Sequence, residues 1–227
     1  MKIIYLNTWW ATVADPLRSF IRQEADNADI FCLQEATEDV KQLCRQELEG
    51  YEEVSDNKAL SEIHTFSQSI FFRKNVNVVS SGTLMTEDLD TGLAIYVKVK
   101  SQSNSMYICN VHGSAYPGDK LDTPGRLKQS SSIIDFFKEK NIPAVVGGDF
   151  NLDPHTKSVA MFEENGYKNL IKDFNIDTTR NHLAWDRYPK NRQPFSDYVF
   201  INNTIAYKNF SVPKIEVSDH LPLILEI

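Results

Sequence analysis

The chain has 227 residues, 41% hydrophobic and 24% charged, which is ordinary globular composition with enough apolar material for one sizeable core. A net charge of −7 argues against a dominant basic face, and so against tight nonspecific binding to nucleic acid through its phosphates. The three cysteines, Cys32, Cys44 and Cys109, form no CxxC pair, which excludes a disulfide framework and a zinc site.

"KIIYLN" reads as an apolar strand, and "MKIIYLNTWW" as a whole is too short and turns polar too soon for a signal peptide. "DPLRSFIRQEAD" opens a helix, with Asp15 as its expected cap and Pro16 in the first turn. "DIFCLQEA" is a buried strand. "TEDVKQLCRQELEG" is a helix that Thr37 caps and Gly50 stops. "FSQSIFFRK", "VNVVSSGTL", "TGLAIYVKVK" and "SMYICNVHGS" read as strands, the middle two as an antiparallel pair. In "DTPGRLKQSSSIIDFFKEKN" the residues Leu127, Ile133, Ile134 and Phe137 give a helical apolar stripe. "IPAVVGGDFN" is a strand and "TKSVAMFEENG" a short helix ending at Gly166. "FSDYVFINN", "IAYKNFSVP" and "LPLILEI" read as three closing strands. No apolar run approaches the roughly 20 residues of a membrane span. The expectation is a cytoplasmic protein with no membrane contact and no obligate protein partner. Two halves of similar grammar, each with strands covered by helices, predict two packed, mostly antiparallel sheets with helices on the outer faces: a four-layer α/β sandwich.

Polar residues end these apolar strands repeatedly. Asn7, Gln34 with Glu35, Asn110 with His112, and Asp149 with Asn151 follow strands; Asp197 and Asp219 with His220 precede them. Any one is what a wet loop provides. Six together are of one chemical kind: carboxylates, amides and imidazoles. Period-two alternation puts Asp149 and Asn151 on the same side of their strand. Clustered acids repel unless a cation or a shared proton intervenes, and carboxylate oxygens are what Mg²⁺ prefers. A histidine beside an aspartate is an oriented acid–base group.

The set "LNTWW", "LQE", "NVHG", "GGDFN", "SDYVF" and "SDHLPL", in that order from Asn7 to Leu223, resembles the endonuclease/exonuclease/phosphatase superfamily. Its members include pancreatic deoxyribonuclease, abasic-site nucleases, sphingomyelinases, inositol polyphosphate 5-phosphatases, deadenylases and tyrosyl-DNA phosphodiesterases. The resemblance implies one catalytic domain over residues 1–227, a four-layer sandwich and a Mg²⁺ or Mn²⁺ cofactor. It implies metal positions at Glu35, Asn7 and Asp219. Asp149 would align or deprotonate the attacking water, with Asn151 orienting the phosphate. His112 would contact the phosphate or leaving group, Asp197 would orient a catalytic histidine, and His220 would bind the scissile phosphate. Arg126 and Gln129 match the family's "R..Q" helix and read as mostly structural, with Arg126 also able to reach the site. Two features depart from the pattern. Ser196 stands where many members carry Arg, Ile or Leu, and Phe66, Ser67 and Gln68 stand where deoxyribonucleases carry another glutamate.

Substrate choice falls to two loops, "GSAYPGDKLDTPG" and "TTRNHLAWDRYPKNRQP". The second carries Arg180, His182, Trp185 and Arg187, a basic–aromatic mixture suited to a phosphate backbone with a base to stack on. Trp9 and Trp10 stand just past Asn7 as a site wall or a core lid. The leading expectation is a phosphodiesterase or nuclease acting on DNA or RNA. The alternatives are a phosphoesterase for a small molecule or lipid headgroup, and an inactive binding domain.

Overall fold

The computed structural model describes residues 1–61, 65–101 and 104–227. Two six-stranded sheets form its centre. The first contains β1 (Lys2–Asn7), β2 (Ile30–Gln34), β3 (Tyr51–Ala59), β4 (Thr65–Arg73), β11 (Asn209–Ser211) and β12 (Leu223–Glu226) in the order β11-β12-β1-β2-β4-β3. The second contains β5 (Val78–Leu84), β6 (Leu93–Lys100), β7 (Ser105–His112), β8 (Ala144–Asp149), β9 (Tyr167–Asn169) and β10 (Asp197–Asn202) in the order β5-β6-β7-β8-β10-β9. Only β1–β2 and β7–β8 pair in parallel among these strands. The parallel strands β1, β2 and β8 are the near-continuous apolar runs, because both of their faces are covered.

Alternation along β1 and β2 sorts the layers. Ile3, Tyr5, Ile30 and Cys32 join a cluster with Ile108, Cys109, Val145, Val146 and Phe200 of the second sheet. That cluster continues to Ile133 and Phe137 of α3 (Pro124–Lys140) and to Val159 and Phe162 of α4 (Lys157–Glu164). Ile4, Leu6, Phe31 and Leu33 instead meet Leu17, Phe20 and Ile21 of α1 (Ala14–Glu24) and Val40, Leu43 and Cys44 of α2 (Glu38–Glu47). The order of layers is helix, sheet, sheet, helix, as expected. The sheets approach closely at Gly147, where an added Cβ would lie 2.8 Å from the Tyr5 ring.

Polar bonds also join the sheets. Asn110 donates through Nδ2 to Leu33 O at 3.0 Å and to Ser69 O at 3.2 Å, and Gln34 donates to Asn110 Oδ1. These two strand-end amides therefore tie the layers together. A buried amide must find partners, and here each sheet supplies the other's.

Some local expectations fail. Asp15 lies inside the first turn of α1, whose cap position is Val13. The polar strand β3 was not anticipated. Only Asn209–Ser211 of "IAYKNFSVP" is strand. The stretch after β9 forms α5 (Leu170–Asp173), and the basic–aromatic loop contains α6 (His182–Arg187), capped by the Asn181 side chain.

Candidate active site

Register places the site. Across the second sheet His112 pairs with Asp149, and Asp149 with Asp197. In the first sheet Asn7 pairs with Gln34, one residue before Glu35. The ends of β1, β2, β7 and β8 and the start of β10 thus share one rim of the sandwich. Glu35 and Asn151 take left-handed backbone conformations, φ 53° each, as does the turn Trp9–Trp10–Ala11 at φ 48°, 51° and 58°. Non-glycine residues there carry strain that recurs at functional sites.

Asp149 is the hub. Its Oδ1 accepts from Ser196 Oγ at 2.6 Å and from Asn151 N at 2.9 Å, and its Oδ2 from Asn7 Nδ2 at 3.0 Å. Burial opposes its charge, but His220, His112, Lys120 and the Ser196 bond outweigh burial and hold the carboxyl well below the usual range. Ser196, the departure noted in sequence, thus supplies a hydroxyl that orients Asp149.

His220 Nδ1 lies 2.9 Å from both carboxylate oxygens of Asp197, while its Nε2 faces Asp149 Oδ2 at 3.7 Å and Asp219 Oδ1 at 3.8 Å. Burial and Arg180 work against a charged imidazole. Asp197, Asp219 and Asp149 prevail and raise its pKa. Thr179 Oγ1 accepts from the Ser196 and Asp197 amides, which fixes the start of β10. Arg180 Nη2 donates to Asp219 Oδ2 at 2.6 Å, so that arginine is bound to an acid within the site.

Glu35 and His112 face each other across the sheets. His112 Nε2 lies 4.0 Å from Glu35 Oε1 and 3.9 Å from Asp149 Oδ2. Burial pushes the His112 pKa down to about 4, and the Phe66 ring stands edge-on to the imidazole at 4.8 Å. Glu35 is pushed up to about 7, mainly by burial, against the pull of His220 and a hydrogen bond from Asn7. Its Oε2 is buried with no hydrogen-bond partner among the described residues. A buried oxygen of this kind calls for a cation or a proton. Asp149, Asp197 and His220 also place one ligand atom each within 4.8 Å of one another. In that trio the Asp197–His220 bond is already made and an imidazole suits Mg²⁺ poorly, so the orphaned Glu35 oxygen is the stronger mark of a hard cation. Asn7 is differently engaged than expected: its Oδ1 accepts from Trp9 N at 3.0 Å and its amide nitrogen serves the two acids.

A cleft of about 210 Å³ opens over these groups. Glu35, His112, Asp149, Asn151, Arg180, Asp219 and His220 form its polar lining, and Trp9, Trp10, Tyr116, Trp185 and Tyr188 wall it. The two tryptophans after Asn7 are thus wall rather than core lid, and Trp185 faces the cleft. Arg187 stands above them, its guanidinium carbon 5.5 Å from the Trp9 ring, 5.8 Å from Trp10 and 5.5 Å from Tyr188.

Two expected site residues lie elsewhere. Arg126 is fully buried and turned into the loop that follows β7, where it donates to Ser114 O, Leu121 O and Pro117 O and pairs with Asp119. The loop's carbonyls capture the guanidinium before it can reach the cleft. His182 is exposed and lies 3.3 Å from Glu216, outside the cleft lining. One site residue went unnoticed in the sequence: Lys120, buried and in the cleft wall. A single lysine in a Gly- and Pro-containing loop carries no pattern that marks it as buried.

The sandwich thus gathers acids, amides and a histidine–aspartate pair on one rim. The chain belongs to the endonuclease/exonuclease/phosphatase family, whose model matches residues 4–220. No curated protein sequence matches it significantly. Among solved structures, the mannosyl-6-phosphatase of Bacteroides thetaiotaomicron superposes with a TM-score of 0.78 at 17% identity, covering 100% of this chain and 98% of that one. The human Nocturnin catalytic domain with bound sulfate gives 0.75 at 19% identity, with 100% and 93% covered. Truncated TDP2 from Caenorhabditis elegans gives 0.71 at 15% identity, with 100% and 97% covered. At these identities the likeness is one of fold. Among the described residues no helix is long and apolar enough to cross a membrane.

Proposed function

We propose that this chain is a divalent-metal-dependent phosphoester hydrolase that uses water as the nucleophile. The carrying observation is the buried, unpartnered Glu35 oxygen in the same cleft as Asp149 and the His220–Asp197 pair. Glu35, with Asp149 beside it, would hold the cation, and Mg²⁺ or Mn²⁺ fits this oxygen-rich set. When bound, the metal supplies neutralisation of phosphoryl oxygens and of the developing leaving group.

The chain's own residues do the rest. Asp149, kept ionised by its donors, accepts a hydrogen bond from the attacking water and aligns it. Protonated His220, fixed by Asp197, presents Nε2–H to a non-bridging oxygen, where charge builds in the transition state. Asn151 holds the strand end through Nδ2 to Gly113 O at 3.2 Å and lines the cleft in which the phosphate would sit. His112 is neutral over most of the working pH range, so it orients the leaving oxygen rather than carrying charge to it. Asp219 is spoken for by Arg180 and orders the His220 loop.

Two substrate readings have support. The ring-stacked Arg187 beside Trp9, Trp10 and Tyr188 favours a nucleic-acid strand whose base stacks on the rim. The narrow cleft and the −7 charge favour a small phosphate or a chain end over the middle of a duplex, and the mannosyl-6-phosphatase of the same fold acts on such an ester. The test is phosphate release or strand scission in Mg²⁺, in Mn²⁺ and in EDTA. The panel holds sugar phosphates, aryl phosphate mono- and diesters, and an oligonucleotide duplex with one abasic site. Metal-dependent turnover of any member supports the hydrolase. No turnover of any member with either metal defeats it.

A further inference from the structure

We propose that Lys120 is a specificity-determining residue that binds the second negative charge of a phosphomonoester, so that the favoured substrate carries a terminal, dianionic phosphate. The inference rests on the hydrolase reading above. Lys120 is 6% exposed and lines the cleft. Its ammonium has one hydrogen bond, to Phe195 O at 3.2 Å, and makes no ion pair with a carboxylate of the described residues. A buried ammonium with no carboxylate in ion-pair contact is costly: burial and Arg180 oppose its charge, and Asp149, Asp197 and Asp219 support it only from a distance.

The fold commits further strain and material to keep it there. Lys120 has a left-handed backbone, φ 60°. Its carbonyl accepts from Asp153 N at 2.8 Å. The loop around it is pinned from inside by Arg126 and from outside by Asn191 Nδ2 to Gly118 O at 2.8 Å. The other charges of the cleft are matched: Arg180 with Asp219, His220 with Asp197, and Glu35 and Asp149 with the cation they would hold. A phosphodiester brings one negative charge, which that cation and His220 meet. A phosphomonoester brings two, and Lys120 is the cation left for the second. The competing role is a strut, in which the Phe195 bond merely holds the loop to the segment carrying Ser196.

Lys120→Gln separates the two roles, because the amide still donates to a carbonyl but carries no charge. Lys120→Met is the second variant, keeping the apolar stem. The assay is kcat/KM on p-nitrophenyl phosphate and on bis(p-nitrophenyl) phosphate in Mg²⁺ or Mn²⁺, with inhibition by inorganic phosphate and thermal melting alongside. Wild type should prefer the monoester. Both variants should lose about 30- to 100-fold on it, the scale of one charged hydrogen bond, and about tenfold less than that on the diester, where Lys120 acts only through Asp149. The phosphate inhibition constant should rise by a similar factor. Equal losses on both esters, an unchanged monoester rate, or a wild type active on the diester alone overturns the role of Lys120 and leaves the hydrolase standing. A wild type inactive on both esters and on every member of the wider panel removes the hydrolase reading and this inference with it.

Discussion

Asp149 receives hydrogen bonds from a side chain of each sheet's rim, Asn7 from the first and Ser196 from the second. Its ionisation and aim are therefore set by two independent elements. Asp149→Asn should lower kcat by about two to four decades, the scale of a lost acid–base group, with far-ultraviolet circular dichroism unchanged. Wild-type-like turnover removes Asp149 from the chemistry. Ser196→Ala tests aim rather than charge. It removes the 2.6 Å bond to Oδ1 but leaves Asn7 and the Asn151 amide, so kcat should fall by about tenfold, about 1.4 kcal/mol, near the lower end for a hydrogen bond to a charged group. A loss as large as that of Asp149→Asn contradicts the division of labour. At this scale the sequence was legible where a short side chain ends a strand: Asp149, Asp197 and His112 have nowhere to point but the rim. It was not legible for Arg126 or Lys120. Long flexible side chains reach whichever acceptors the fold brings near, and those carbonyls come from a loop with no periodicity.

Among elements, the apolar strands and amphipathic helices were readable because one face of each must be buried. β3 was not, because it is an edge strand whose sequence "YEEVSDNKA" leaves most positions at least partly exposed. What holds such an edge is polar. Lys58, near the end of β3, shares its three N–H groups among the carbonyls of Met85, Asp88, Thr91 and Gly92 in the β5–β6 connection. That connection passes close to the site, since an added Cβ on Gly92 would lie 2.0 Å from His112 O. Lys58→Met should cost about 2 to 4 kcal/mol, because it leaves buried carbonyls unpaired, seen as a lower urea midpoint. A midpoint equal to wild type would mean water replaces the ammonium there. The helical layer has its own clamp. Glu47 of α2 binds Arg22 and Arg18 of α1, and these bonds hold its carboxyl down to about 2. A depressed folded pKa stabilises above the unfolded value and fades as pH falls through the window below it. The melting temperature of Glu47→Gln should therefore lie below wild type at pH 7, and the gap should narrow from pH 5 downward. A gap that is constant with pH assigns the effect to packing instead.

The whole molecule carries its site on the seam between two sheets, with Glu35 on the first and Asp149 on the second. A cation held by both would bind the folded sandwich and not the unfolded chain, and so stabilise it by mass action. At about a hundred times its dissociation constant the gain is roughly 2.7 kcal/mol, or about 5 to 10 °C in Tm for a chain of this length. Mg²⁺ or Mn²⁺ should raise the melting temperature of wild type over EDTA by that order, and Glu35→Gln should lose most of the shift. The metal-free proteins should differ in the opposite sense. Burial lifts the Glu35 carboxyl to about 7, so between the unfolded value near 4.5 and about 7 the unfolded chain ionises first and folding is progressively penalised. Glutamine removes that penalty, and at pH 7.5 in EDTA the variant should melt above wild type while being the less active protein. A wild type indifferent to metal, or a Glu35→Gln variant that responds to metal as strongly as wild type, moves the cation away from Glu35 toward the Asp149–Asp197–His220 trio. A Glu35→Gln variant that melts below wild type in EDTA shows instead that the buried carboxylate is already satisfied without a metal.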